Sequence, residues 1–504
     1  MNNKRIIAKN IISTLILQAV TVVNGLIVPK IFIDLFGSEA NGLVTSINQM
    51  LNYITLLEGG VSTVILAALF KPLRNNDEDK ISAIFNATSR FFKQMGLIYI
   101  VYAVIIAAVY PFVVEFEEVD FSYGYVFVLV LVLASNLFTQ YFFSMSYQVL
   151  IRAAQQVYFI SVTKAVVIAL NIVAIIVVSK LFPDLVVIKL LSALVLLLQP
   201  LIFWIFVKKK FKLNRRIPRD MQALSQRWAG FGQTLAYFVN TNVAVLMLTV
   251  FSSLTLVSVF SVYMMVTSAI RNLAVSVASA ILPSLGNIMA GDDKQASNRA
   301  FNIYEIGMWF FTMLLFSCGI VLVIPFIKIY TASFTDADYI QPLFGVLLMV
   351  AEMVYCLRTP YINAAYAVGH FKQTAKYAYI EAAINIVLSF VLVKLFKIEL
   401  VGVAVGLLIA MLFRMITHIY YLKKYILNRP YRRFLKVSGL YLGASIAVII
   451  VMCGLLPLNT LGGYFGWIVN GCVTFGVCFV CLFGVTAVFF KDELKQIVGK
   501  RLRK

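Results

Sequence analysis

Residues 157–181 read Val157-Tyr-Phe-Ile-Ser-Val-Thr-Lys164-Ala-Val-Val-Ile-Ala-Leu-Asn171-Ile-Val-Ala-Ile-Ile-Val-Val-Ser-Lys180-Leu181. A transmembrane helix needs about 20 mostly apolar residues, and this stretch supplies them with only two charges. It also carries the mark of a duplication. Asn171-Ile-Val173 recurs 214 residues later as Asn385-Ile-Val387, and Lys180-Leu-Phe182 recurs as Lys394-Leu-Phe396. In the same register Lys209-Lys210 and Leu213-Asn-Arg215 fall on Lys423-Lys424 and Leu427-Asn-Arg429. Earlier in the chain Asp79-Lys80 matches Asp293-Lys294, and with a two-residue slip Phe85-Asn86 matches Phe301-Asn302. Convergent apolar patterning would repeat Leu and Val, but not Asn and Lys at a single offset.

Outward from this stretch the pattern continues over the whole chain. Of 504 residues 61% are hydrophobic and 13% are charged, about half the charged fraction of a soluble domain. Apolar runs long enough to span occur at about 11–33, 42–70, 95–114, 123–146, 157–181, 185–207, 229–251, 254–283, 303–327, 338–358, 375–396, 399–421, 435–456 and 464–490. The expected fold is therefore an all-α polytopic membrane protein of about 14 transmembrane helices. The repeat divides it into a six-helix lobe at 1–213, a second at 214–430, and two extra helices with a basic tail at 431–504. Six is even, so both lobes enter the membrane in the same sense and are related by a pseudo-twofold along the membrane normal.

Charge tests the segmentation. The N-terminus, 71–94, 147–156, 208–228, 291–302, 358–376, 422–436 and the tail from Lys491 hold 34 of the 43 Lys and Arg residues. The intervening connections are short, and Glu115 to Asp120 is acidic. The positive-inside rule then puts both termini in the cytoplasm, and the net charge of +21 needs no nucleic acid to explain it. Lys4, Arg5 and Lys9 precede an apolar stretch with no small-residue cleavage site, which reads as a retained first helix. Asn86-Ala-Thr88 lies in an expected cytoplasmic loop and Lys491-Asp-Glu-Leu494 is internal, so neither acts as its motif would suggest. The six cysteines fall in or beside apolar segments, and no disulfide framework, metal site or cofactor is indicated.

Enzyme chemistry finds no parts here. His370 and His418 are far apart, and H-E-x-x-H, G-x-x-x-x-G-K-[ST] and G-x-S-x-G are all missing. What remains are charges inside spans, each costing about 2.5–3.5 kcal/mol at mid-bilayer even on the insertion scale. Arg271 stands near the middle of the eighth run in Ser268-Ala-Ile-Arg271-Asn272, and Glu58 in the second in Leu56-Leu-Glu58-Gly59. The repeat offset maps Glu58 onto Asn272, beside Arg271, so the pair is either a substrate-binding element or an ion pair joining the lobes. Lys164 and Glu381 form a similar pair on the fifth and eleventh runs, one turn apart after the offset. Lys30, after Pro29, reads as a binding residue or an interfacial anchor, and Glu305, Glu352 and Arg414 read as anchors near cytoplasmic helix ends. Asn24, Gln233, Asn240 and Asn242 suit a hydrated lining or helix–helix hydrogen bonding.

The stretch Pro29-Lys-Ile-Phe-Ile-Asp-Leu-Phe-Gly37-Ser-Glu-Ala-Asn-Gly42-Leu, followed by Leu57-Glu-Gly-Gly-Val-Ser62, resembles the start of bacterial polysaccharide-repeat flippases of the multidrug/oligosaccharidyl-lipid/polysaccharide (MOP) exporter superfamily. Ile281-Leu-Pro283-Ser-Leu-Gly286 with Gly291-Asp292 resembles the end of that family's eighth helix. The resemblance implies two six-helix lobes around a central cavity, alternating access, and transfer of an undecaprenyl-pyrophosphate-linked oligosaccharide to the outer leaflet. Arg271 is the residue that fits that family's cationic cavity, with Asn24, Asn240, Asn242, Glu58, Lys164 and Lys30 as further substrate-binding candidates. The implied setting is the bacterial cytoplasmic membrane, with membrane lipids as neighbours, function as a monomer and a glycan polymerase as a conceivable partner. Two rivals remain open. A cation-coupled multidrug exporter of the same fold would usually stop at twelve helices and use a buried carboxylate, Glu58 or Glu381. A glycan polymerase or ligase would carry a large outer loop, and every outer loop expected here is short.

Overall fold

A computed structural model of the chain describes residues 3–58, 61–114, 121–220, 231–289, 293–368, 370–455 and 463–499. The Glu115–Asp120 connection, Gly59, Gly291 and Asp292 lie outside these residues. The described residues are helical, with no strand among them. Twelve helices among them are long and apolar enough to cross a membrane. Two shorter helices occupy the remaining expected positions: α2 (Val61–Asn75) and α9 (Phe231–Phe251).

The chain divides into two compact units. The first holds residues 1–238 with 253–258. It begins with α1 (Asn3–Asn52), which is broken at Gly37, where φ is 82°. A side chain is strained in that left-handed region and glycine is not. After α1 a 3-10 turn, Tyr53–Glu58, leads into α2. The expected run 42–70 is thus not one helix but the end of α1, this turn and α2. Glu58 closes the turn, whereas its repeat counterpart Asn272 lies inside an unbroken helix.

There follow α3 (Glu78–Val113), α4 (Tyr123–Thr139), α5 (Met145–Ala153), α6 (Val157–Leu181), α7 (Leu185–Leu196) and α8 (Leu198–Lys210). Helix α1 packs along α6, α3 along α4, and α7 against both α4 and α6. One continuous core results, running through Phe32, Phe92, Tyr99, Leu129 and Phe203. Close approach decides one position: a Cβ on Gly42 would stand 1.8 Å from the carbonyl oxygen of Leu254, and the neighbouring Asn41 amide donates to the Ser258 hydroxyl at 2.8 Å. The opposite faces are equally apolar. On α3, Leu97, Val101 and Ile105 are all more than half exposed, and a helix apolar all round belongs in lipid.

The second unit holds residues 239–252 and 259–504. Its helices are α10 (Leu254–Met289, from residue 259 onward), α11 (Lys294–Tyr330), α12 (Pro342–Ala367), α13 (Phe371–Phe390) and α14 (Glu399–Leu422), then α15 (Tyr431–Leu455), α16 (Gly463–Phe489) and the short α17 (Lys491–Gly499). Helix α14 packs on α12 and α13, while α15 and α16 pack on α11. Two pairs of elements begin at the sequence offset. Helices α6 and α13 start at Val157 and Phe371, and α7 and α14 at Leu185 and Glu399, both 214 apart. Asp77 caps α3 by accepting from the Lys80 N–H, and Asp293 caps α11 by accepting from those of Gln295 and Ala296. These caps are 216 apart, the same spacing as between Phe85-Asn86 and Phe301-Asn302.

Candidate transport site

Helix α12 carries Glu352, Tyr355 and Arg358 at three-residue spacing, which sets them along one face. From α10, Arg271 meets Glu352 through Nη1, at 3.0 Å to Oε1 and 3.1 Å to Oε2. From α13, Glu381 accepts from Arg358 through Oε1 and, through Oε2 at 2.8 Å, from Arg414 of α14. The Tyr355 ring joins the two groups, with the guanidinium carbon of Arg358 4.6 Å and that of Arg271 5.6 Å from its centroid. The result, among the described residues, is a belt of three arginines and two glutamates across four helices, with a formal charge of +1. Its interior side chains are at most 6% exposed, while Arg271, at the end, is 13% exposed. His418 extends the belt, its Nδ1 3.0 Å from the Arg414 carbonyl oxygen.

A second buried carboxylate is arranged in the same manner. Glu305 of α11 is fully buried; it accepts from Arg429 at 3.1 and 2.6 Å and from the Tyr361 hydroxyl at 2.8 Å. Glu305, Glu352 and Arg414 are therefore not surface anchors. The helices run past the apolar windows, α12 to Ala367 and α14 to Leu422. Paired charges inside a lobe do not end a helix; a hydropathy window counts each as if it stood alone.

In the first unit Glu58 is half-buried, accepts a hydrogen bond from the Ser62 hydroxyl and acts electrostatically on Tyr141. Among the described residues Gln49 Nε2 and the hydroxyls of Tyr53, Tyr99 and Tyr141 are buried without a hydrogen bond; Tyr53 stands in the same turn as Glu58, and Tyr99 packs on Tyr141. Asn24, on α1, has a buried Oδ1 in the same condition. Lys164 is half-buried on α6 and feels the charge of Arg152. Lys30 pairs with Asp34, one turn along α1, at 3.9 Å, with both about one-third exposed. Asn242 is half-buried on α9. The side chains of Asn240 and Gln233 lie outside the described residues.

Two further cations escaped the sequence reading. Arg358 opens the segment 358–376, which reads as a basic connection. Lys189, in the apolar run of α7, holds its Nζ 3.9 Å from the centroid of the Phe32 ring. A lone lysine between Ile188 and Leu190, and an arginine six residues after Glu352, were the available signals.

No family model matches the chain, and no curated protein does. Solved structures do. The chain is similar to the lipid II flippase MurJ in its inward closed conformation, with 17% identity over 96% of this chain and 99% of that one and a TM-score of 0.70. It is similar to a multidrug resistance MATE family transporter of the MOP superfamily, inward-facing, with 14% identity over 82% and 99% and a TM-score of 0.60. A MOP superfamily transporter from Pyrococcus furiosus, described by the reverse polarity of its binding pocket, aligns with 15% identity over 85% and 98% and a TM-score of 0.59. The chain is a multi-pass, all-α membrane protein with the fold of MOP superfamily transporters. Within that fold its likeness to the lipid II flippase extends over nearly the whole of both chains.

Proposed function

We propose that this chain is a flippase that carries an undecaprenyl-pyrophosphate-linked oligosaccharide repeat from the inner to the outer leaflet of a bacterial cytoplasmic membrane by alternating access. Both termini would lie in the cytoplasm. The observation that carries the reading is the charge belt. An excess positive charge inside a membrane protein is costly, and an anionic cargo offsets it while bound. Arg271 is the member that a cargo would meet, being the most exposed. Its planar guanidinium has five donors and stays charged when partly desolvated, so phosphate oxygens can bind to it while Glu352 holds it in place. Amides such as Asn24, with an unpartnered oxygen, suit sugar hydroxyls.

In a bacterium exporting surface polysaccharide through this protein, Arg271→Ala should abolish export and leave lipid-linked repeats inside, and Arg271→Lys should rescue it only in part. The double variant Arg271→Ala with Glu352→Ala removes the orphaned carboxylate as well. It should regain thermal stability without regaining export. Full export by either alanine variant at normal abundance would refute the phosphate-binding role. The MATE likeness sustains the second reading, a multidrug exporter. Export of cationic drugs by the purified protein, with no response to a lipid-linked glycan, would favour it.

A further inference from the structure

The corner between α14 and α15 reads Tyr420-Tyr-Leu-Lys-Lys-Tyr-Ile-Leu-Asn-Arg-Pro-Tyr-Arg-Arg-Phe434. A π-helical segment, Lys423–Leu427, extends α14, and Asn428 then turns the chain at φ 46° before Pro430. The two helices leave this corner toward different partners, α14 toward α12 and α13, α15 toward α11 and α16. Between them lies a groove of about 600 Å³ lined by Ile416, Ile419, Tyr420, Tyr431, Phe434 and Leu435. Ile416 and Leu435 are 62% and 63% exposed, so the groove opens on the apolar outer surface.

The cations at its basic end fall into two groups. Arg429 and Arg433 are engaged by carboxylates, Glu305 and Glu493. Lys423 and Lys424 instead rest on aromatic rings: Lys423 Nζ is 3.8 Å from the Tyr431 centroid, and Lys424 Nζ is 5.3 Å from that of Tyr425. Arg432 is exposed beside them. Among the described residues these three cations form no ion pair.

We infer that this groove binds an anionic diacyl phospholipid of the surrounding membrane, with an acyl chain between α14 and α15 and the headgroup phosphate at Lys423, Lys424 and Arg432. Charge complementarity selects the occupant. An apolar trough alone would take any lipid tail, but with Arg429 and Arg433 matched by Glu305 and Glu493, three further cations remain at its mouth and prefer a negative headgroup. Tyr420 and Tyr431 place their hydroxyl-bearing rings at the boundary, as interfacial aromatics do. The site is independent of what the protein transports.

The full-length protein in zwitterionic nanodiscs would be titrated with dioleoyl phosphatidylglycerol and dioleoyl phosphatidylcholine, and bound lipid counted by native mass spectrometry. The wild type should retain phosphatidylglycerol at least tenfold more tightly. Each cation near an anionic headgroup contributes roughly a fivefold preference, so Lys423→Gln/Lys424→Gln/Arg432→Gln should abolish the difference, and Lys424→Gln/Arg432→Gln should reduce it roughly 25-fold, to the roughly fivefold that Lys423 alone supplies. Leu435→Trp, which fills the groove, should weaken retention of both lipids. Equal retention by the wild type, or unchanged preference in both charge variants, would overturn the inference. So would competitive displacement of phosphatidylglycerol by a lipid-linked oligosaccharide, which would assign the groove to the transport path.

Discussion

Replacing Glu381 with glutamine removes the one anion between two buried guanidiniums. Arg414 Nη1 lies 2.8 Å from Oε2, and both side chains are at most 6% exposed. At an effective dielectric of about 20, charges at that distance attract by about 6 kcal/mol, and Arg358 adds a second contact of the same kind. Much of this offsets desolvation. The quantity that a mutation reveals is the cost of leaving a buried charge uncompensated, about 3–5 kcal/mol. Glutamine keeps the volume and one hydrogen bond, so electrostatics dominates the change. Thermal unfolding of the purified protein, followed by fluorescence-detected size exclusion, should show Glu381→Gln melting several degrees below wild type.

The triple variant Arg358→Met/Glu381→Leu/Arg414→Met removes all three charges and should return to near wild-type stability, because apolar replacement of a buried ion triad is often neutral or better. An unchanged melting temperature for Glu381→Gln would refute the reasoning. Transport by the triple variant then separates two roles for Glu381. A coupling carboxylate cannot be dispensed with, whereas a clamp that holds α12, α13 and α14 together can be replaced by packing.

The other expectations are local. Gly42→Ala should lose several kcal/mol and fold poorly, because its Cβ would overlap the Leu254 carbonyl and the obstacle is backbone, whereas Gly439→Ala, with nothing within 4 Å, should express and melt like wild type. Backbone N–H groups of Ala296 and Gln295 hold the Asp293 carboxyl below its ordinary range. A depressed carboxylate stabilises the fold above its unfolded-state value and loses that contribution as pH falls through its folded value. Hydrogen exchange at the start of α11 should therefore be slow at neutral pH and quicken, relative to an Asp293→Asn control, on acidification below the ordinary aspartate range; a pH-independent difference would contradict the cap.

How much of this was legible depended on how local the signal was. A span is a local property, so runs such as 157–181 and 185–207 fell where α6 and α7–α8 stand. The second run failed because a window averaging hydropathy does not register the end of α1 at Asn52 or the 3-10 turn Tyr53–Glu58 that follows it. The duplication survived in Asn171 and Asn385 because polar residues in apolar helices stand out. The belt did not. Its pairs are separated by 23, 33 and 81 residues, and nothing within one helix says that Arg358 has an acid to meet. Arg271 was found because it is isolated in its own helix; Arg358 was missed because it begins a stretch that reads as a basic loop.

The two units dispose of their carboxylates differently. In the second unit Glu305, Glu352 and Glu381 each meet at least one arginine. A carboxylate so held has its oxygens occupied by guanidinium N–H groups, and it holds elements together: Glu352 ties α12 to α10, and Glu381 ties α13 to α12 and α14. In the first unit the partner of Glu58 is the neutral Ser62 hydroxyl, in a region where Tyr99, Tyr141 and Gln49 have unsatisfied polar atoms. Each such atom costs about 1–3 kcal/mol unless water completes it, and the belt carries the same cost at Arg414 Nε and His418 Nε2. Substitution separates the two settings: Glu58→Gln still accepts from the Ser62 hydroxyl and strands no guanidinium, whereas Glu381→Gln leaves Arg358 and Arg414 without their shared anion. Glu58→Gln should therefore melt close to wild type where Glu381→Gln does not, and an equal loss of thermal stability in both would contradict the distinction.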